Sequence, residues 1–144
     1  MLIFTLRFFI KKVVIFCATR ASVSYLATRL ANRGLSVVAL SGELNQAARN
    51  QALQAMRDGR ARVCVATDVA ARGIDLPNLD LVIHVDLPRT PDVLLHRSGR
   101  TGRAGRKGTA IIIVPENTYR KTQRLLQQAG IKAEWGKAPD ADAI

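Results

Sequence analysis

Two kinds of apolar pattern alternate along this chain. Short continuous apolar runs occupy residues 13–17, 37–40, 63–66, 81–84 and 110–114. Runs of that length without alternation suit strands buried on both faces, as in a parallel sheet. Between them the apolar positions follow a helical period. Val23, Leu26, Ala27, Leu30 and Ala31 form one stripe, closed by Gly34 as a residue that tolerates left-handed backbone. Ala48, Ala52, Leu53 and Met56 form the next, with Asn45 as its N-cap and Asp58-Gly59 at its end. Thr90-Pro91-Asp92 starts a third helix with a cap, a proline in the first position and an acid in the first turn. Residues 119–128 read as a basic helix, and Pro115 stops the strand before it. From Trp135 onward no element is expected.

Strands and helices at this spacing predict an α/β fold: a mostly parallel sheet with helices on both faces, since the crossovers are right-handed. The 144 residues are expected to form a single domain, with a core over about residues 13–130 and a tail over 131–144. Ligands of such folds bind where the strands end. The unusual residues of this chain lie just after strands.

Charge changes the picture next. Against 11 Asp and Glu stand 22 Lys and Arg, a net charge of +11. A compact domain so basic usually meets a polyanion: nucleic acid, an anionic membrane or an acidic protein, with ribosomal-type solubility charge as the plain alternative. The apolar start, residues 1–10, has a helical face (Leu2, Leu6, Phe9, Ile10) and also strand-forming residues. Arg7, Lys11 and Lys12 lie inside or after that run and no small-residue cleavage site follows, so it reads neither as a signal peptide nor as a membrane span. A cytoplasmic protein without a membrane partner is the expectation. Cys17 and Cys64 sit in apolar runs without metal-ligand spacing and are expected to pack as small hydrophobes, with no metal site.

Three segments carry candidate chemistry. In the stretch from His96 to Lys107 there are five Arg and Lys and no acid, with Arg97, Arg100, Arg103 and Arg106 recurring every third residue beside Gly99, Gly102 and Gly105. Each of those glycines would cost a continuing helix ~1 kcal/mol relative to Ala, so a short helix that breaks into a loop is expected. Guanidinium groups beside glycines suit phosphate oxygens. A solvated basic loop is the plain alternative. From Val65 to Asp75 the chain leaves a strand with Thr67 and Asp68 at a turn, then Arg72, Gly73 and Asp75. A helix cap at Asp68, paired with Arg72 on the surface, is the plain alternative there. After the strand at 37–40 come Gln46 and Arg49, one turn apart at a helix start where phosphates also bind, or simply on an exposed helix face. No G-x-x-x-x-G-K-[ST] loop and no acidic pair after a strand is present to hold a nucleotide and its metal.

Taken in order, these segments resemble the C-terminal RecA-like domain of DEAD-box RNA helicases. The resemblance runs from about Val13 to the tail, which is similar to bacterial members. Residues 14–20, ending in Thr19-Arg20, resemble motif IV. Gln46 and Arg49 resemble the family's Q-x-x-R. Ala66-Thr67-Asp68 with Ala71-Arg72-Gly73-Ile74-Asp75 matches motif V, and His96-Arg97-x-Gly99-Arg100-x-Gly102-Arg103 matches motif VI. Where members commonly have His-Gly-Asp, this chain has Ser41-Gly42-Glu43, and residues 1–9 depart from what is expected ahead of motif IV.

The resemblance implies roles. Arg100 and Arg103 reach the γ-phosphate of ATP, with Arg103 as arginine finger, and Asp75 bonds the ribose. Thr19, Arg20, Gln46, Arg49, Thr67 and Gly73 contact the RNA backbone. His96, Arg97, Asp68 and Arg72 hold geometry within and between domains. ATP with Mg²⁺ would sit mainly on a first RecA-like domain, absent from this sequence and supplied in cis or in trans. The chain is thus expected to be a helicase half, inactive alone. A free-standing basic RNA-binding module and half of another superfamily 2 motor acting on DNA stay open as alternatives.

Overall fold

The computed structural model describes residues 12–42, 44–71, 79–98 and 109–137, with the side chains of residues 96–98 left aside. Five strands, β1 (Val13–Phe16), β2 (Val37–Leu40), β3 (Val63–Ala66), β4 (Leu81–His84) and β5 (Thr109–Ile112), form one sheet in the order β2-β3-β1-β4-β5. All four pairings are parallel and share one register. Phe16 lies level with Ala66 and His84, Leu40 with Ala66, and Ile112 with His84. Every strand therefore ends at the same height, and the loops that follow form a single rim.

The helices are α1 (Arg20–Asn32), α2 (Gln46–Arg57), α3 (Asp68–Ala71), α4 (Pro91–Ser98) and α5 (Tyr119–Ala129), with a 3₁₀ turn, Glu116–Thr118, leading into α5. Strand side chains alternate between faces, so each central strand feeds two cores. Val14, Phe16, Cys64, Ala66 and Val82 face α2 through Leu53 and Met56. Val13, Ile15, Val63, Val65, Leu81 and Ile83 face α1 through Val23 and Leu30. A smaller cluster joins Leu94 of α4 to Leu125 and Leu126 of α5, beside Ile112. Helices on both faces are as the pattern predicts. Burying an aliphatic or Phe side chain contributes about 1.5–3 kcal/mol, and β1, β3 and β4 bury every residue they contain.

Four local expectations change. β5 lies at Thr109–Ile112 rather than at 110–114, and its first two residues are exposed because it is an edge strand. β2, the other edge, is only half-buried up to Leu40. Ala31, counted in the α1 stripe, faces solvent. The cap of α3 is not Asp68. Thr67 precedes the helix, its Oγ1 accepting the Ala70 N–H at 3.4 Å and its carbonyl the Ala71 N–H at 3.0 Å, which leaves Asp68 as the first helical residue.

Other caps hold as expected. Asn45 Oδ1 accepts the Ala48 N–H at 2.8 Å, and Thr90 Oγ1 accepts the Val93 N–H at 3.2 Å. Gly34, at φ 85°, ends α1. Its N–H bonds the Ala31 carbonyl while the Leu35 N–H reaches back to Leu30, a paired closure that needs left-handed backbone at the glycine. Cys17 and Cys64 form no disulfide; both are buried, and they face opposite cores. Burial, which penalises the charged thiolate, pushes the Cys64 thiol up to about 12. Among the described residues no helix is long and apolar enough to cross a membrane.

Candidate nucleic-acid and nucleotide-facing rim

The rim is built by the turns that follow the strands. After β1, the Cys17 N–H continues the ladder to the Ala66 carbonyl, and the chain turns at Ala18. Asp86, just beyond β4, accepts the Ala18 N–H at 2.6 Å. Thr19 then caps α1. Its Oγ1 accepts the Ser22 N–H at 3.1 Å and donates to, or accepts from, Ser22 Oγ at 2.9 Å. Arg20 is the first residue of the helix, and its side chain is exposed.

After β2, Ser41 and Gly42 lead to Leu44, whose N–H bonds the Ser41 carbonyl at 3.2 Å. Asn45 caps α2, Gln46 opens it with its Nε2 on Asn50 Oδ1 at 2.9 Å, and Arg49 follows one turn later, half-buried. After β3, the Thr67 N–H bonds the Leu40 carbonyl at 3.3 Å, tying this turn to the end of β2. Thr67 is buried, 8% exposed, and Asp68 is half-buried.

The register thus brings Thr19, Arg20, Gln46, Arg49, Thr67 and Asp68 to one rim, though they are scattered over fifty residues of sequence. His96 and Arg97 lie in α4. Arg72, Gly73, Asp75, Arg100 and Arg103 lie outside the described residues, as does the stretch around Gly99, Gly102 and Gly105 for which a loop is expected.

The helix starts at this rim differ in charge. Neither α1 nor α2 has an acidic residue in its first turn. Each start is capped by a neutral side chain, Thr19 or Asn45, and carries no carboxylate of its own first turn against the positive dipole end, an arrangement suited to phosphate. By contrast α3 and α4 begin with Asp68 and Asp92. Among the described residues no three His, Cys, Asp or Glu side chains gather to hold a metal ion.

Two features of the rim escape sequence reasoning. Asp86 is one, since its partner Ala18 lies 68 positions away and no local pattern marks the pair. The other is the capping work of Thr19 and Thr67, both noted above only as candidate RNA contacts. His84, fully buried at the end of β4 and stacked on Phe16 with ring centroids 6.2 Å apart, supports the floor of the rim from below.

The fold has close counterparts. ATP-dependent RNA helicase SrmB of Escherichia coli (strain K12) is 50% identical over 106 residues, which make up 74% of this chain and 24% of that protein. DEAD-box ATP-dependent RNA helicase 53 of Oryza sativa subsp. japonica is 45% identical over 121 residues, 84% of this chain and 20% of the relative. The chain therefore spans about a fifth to a quarter of these curated relatives. In three dimensions it superposes on E. coli DEAD-box protein SrmB, solved bound to regulator of ribonuclease activity A, with a TM-score of 0.81 and 39% identity, covering 96% of this chain and 88% of that one. A DEAD box protein from the hyperthermophile Methanococcus jannaschii gives a TM-score of 0.82 at 35% identity, covering 91% of this chain and 36% of that one. The fold is therefore RecA-like. The helicase conserved C-terminal domain family matches residues 3–105, so the likeness starts well ahead of Val13 and takes in the amino end that departs from expectation. The chain belongs to the helicase conserved C-terminal domain family, as the C-terminal RecA-like domain of a DEAD-box RNA helicase.

Proposed function

We propose that this chain works as one half of an RNA-stimulated ATPase that separates RNA strands. In this reading it supplies arginines to a nucleotide held by a first RecA-like domain, and it grips RNA through the backbone. The observation that carries the reading is the shared rim: the acid-free starts of α1 and α2 stand beside Thr19, Arg20, Gln46, Arg49 and Thr67.

On the RNA side, the N–H groups at the two helix starts and the Arg20 and Arg49 guanidinium groups bond phosphate oxygens. Gln46 and Thr67 add neutral contacts, and Gly73 lets motif V approach the strand. Such contacts position RNA without reading its sequence. On the nucleotide side, Asp75 accepts from the ATP ribose. Arg100 and Arg103 neutralise charge spread over the γ-phosphoryl group and its leaving oxygen as water bonds to the γ-phosphorus and the bond to ADP breaks. Phosphoryl transfer asks mainly for such positioning, and an arginine finger contributes about 10³–10⁵ in rate. His96, Arg97, Asp68 and Arg72 keep the two sets of contacts in fixed relation. Mg²⁺ would accompany ATP from the first domain's side.

Exposed apolar side chains on the same rim support a partner domain. Leu44 is 37% exposed and Val69 is 68% exposed. A first domain closing over them would bury both. Closure that needs ATP and RNA together links the two bindings, and the linkage is reciprocal.

The test is ATP hydrolysis with and without RNA, by the chain alone and after a matching first domain is added. RNA-stimulated turnover in the mixture, lost in Arg103→Ala with RNA affinity nearly unchanged, is the expected result. Turnover by the chain alone, or turnover that survives Arg103→Ala, would overturn it. RNA binding without turnover in either sample would instead favour a basic RNA-binding module, which the net charge of +11 also suits.

A further inference from the structure

We propose that Tyr119 and Trp135 form a stacking platform for unpaired RNA bases, a second nucleic-acid contact outside the rim motifs. The two rings meet with centroids 4.7 Å apart at an angle of 56°. They lie far apart on the chain's course: Tyr119 opens α5, while Trp135 follows its end. At Gly130, φ 70°, the chain reverses, with the Gly130 N–H on the Gln127 carbonyl and the Ile131 N–H on the Leu126 carbonyl. A helix of this length runs about 16 Å, and five extended residues cover about that distance. Residues 131–135 therefore return along α5 to its start.

This pair is not core. The cluster beneath α5 consists of Leu94, Leu125 and Leu126 with Leu87, Ile112, Ala129 and Ile131, and neither ring belongs to it. Tyr119 stays 43% exposed and Trp135 48% exposed. The Tyr119 ring is nonetheless held, since Gln123 Nε2 donates to its hydroxyl at 2.9 Å. A fixed, half-open aromatic pair presents π-faces to solvent at little entropic cost to a ligand that stacks on it.

Charge names the ligand. From Glu116 to Lys137 the chain carries Arg120, Lys121, Arg124, Lys132 and Lys137 against Glu116 and Glu134 alone, and all of these side chains are exposed. Arg120 and Arg124, one turn apart, lie on the outer face of α5 beside the row of Tyr119 and Gln123, while Thr122, Leu125 and Leu126 face inward. Aromatic faces flanked by cations fit single-stranded nucleic acid, whose bases stack while its phosphates meet the cations. A duplex, with its bases already stacked, offers no such faces. That the strand is RNA rests on the function proposed above. Six residues, 113–118, separate the end of β5 from α5, and α5 packs beside Ile112 of that edge strand.

Trp135 is the chain's single tryptophan, so its emission reports on this platform alone. The test titrates the purified chain with a single-stranded oligouridine, following Trp135 emission together with anisotropy of the labelled strand. Saturable quenching is expected. Tyr119→Ala and Trp135→Ala should each weaken binding about five-fold or more, with unchanged circular dichroism, while Trp135→Phe keeps most of the affinity. In Arg49→Ala, binding weakens but the quench at saturation persists. If the strand binds while emission stays constant and both alanine variants bind as tightly as the parent, the platform is refuted and the rim contacts stand. Equal affinity and equal quenching with a blunt duplex, or with polyglutamate, would also refute it, the latter in favour of an acidic peptide. No binding by either signal would refute both this proposal and RNA recognition by the chain.

Discussion

Asp86 holds Ala18: its carboxylate takes the Ala18 N–H at 2.6 Å and so fixes the turn that presents Thr19 and Arg20. Removing the acceptor in Asp86→Ala should cost about 1 kcal/mol, since hydrogen bonds to charged groups are worth somewhat more than neutral ones and this one is largely open to water. RNA affinity should fall with it, because the start of α1 loses its anchor. Asp86→Asn keeps an oxygen in place and should lose less on both counts. Urea midpoints and RNA titrations on the two variants check this. Equal stability and affinity in Asp86→Ala would show that the tie does not position the rim.

Arg49 separates the electrostatic part of RNA binding from the rest. Each phosphate contact releases counterions, so Arg49→Ala should reduce the slope of log K against log salt by about one. A salt series on the parent and the variant measures it directly. An unchanged slope would remove Arg49 from the phosphate-contacting set.

Cys64 links stability to alkaline pH. Burial raises its folded value to about 12, against an ordinary 9.0. Folding thus keeps a proton that the unfolded chain releases. The thiol's contribution is intact below pH 9.0 and is lost as pH rises toward 12, at up to about 1.4 kcal/mol per pH unit. The difference in stability between the parent and Cys64→Ala should therefore shrink steadily above pH 9. Parallel pH profiles would contradict the assignment. Thiol reagents at neutral pH should also leave Cys64 untouched until the chain unfolds.

Gly34 and Gly42 make a matched pair for the backbone argument. A Cβ at either position meets nothing within 4 Å, yet only Gly34 has a positive φ, 85°. Gly34→Ala should destabilise by about 1–2 kcal/mol through left-handed backbone alone, whereas Gly42→Ala should change stability by less than about 0.5 kcal/mol. Thermal melts of both variants decide it, and equal losses would place the cost somewhere other than in φ.

Much of the fold was legible because a strand buried on both faces leaves an unbroken apolar run, and β1, β3 and β4 are such strands. β5 read less well. At a sheet edge, burial no longer dictates which residues pair, so the apolar stretch 110–114 mislocated a strand that starts at Thr109. Ala31 failed for a similar reason, since a small residue on the margin of a helical stripe fits inside or outside.

The site was legible in its residue types and not in its joints. Gln46, Arg49 and Thr67 stood out by position after strands, and Thr19 only through the family resemblance. What a residue's neighbours do not reveal is whether its hydroxyl is occupied in capping, as in Thr19 and Thr67. Nor do they reveal a carboxylate such as Asp86 bonding across 68 positions. Strand order decides those matters: β1 lies between β3 and β4 only after the chain has crossed the sheet twice.

The reversal at Gly130 has a consequence for tethering. A leash attached after residue 137 leaves from beside Trp135, at the start of α5, rather than from the far end of that helix. A flexible peptide or a labelled module fused there would sample the volume around the start of α5, where its effective concentration for anything held on Tyr119 and Trp135 is high. The same leash tied ahead of Lys12, whose backbone pairs with Asp80 at the opposite end of the sheet, would first have to travel the length of a strand. Two fusions of identical length and composition should therefore behave as near and distant neighbours of the same ligand.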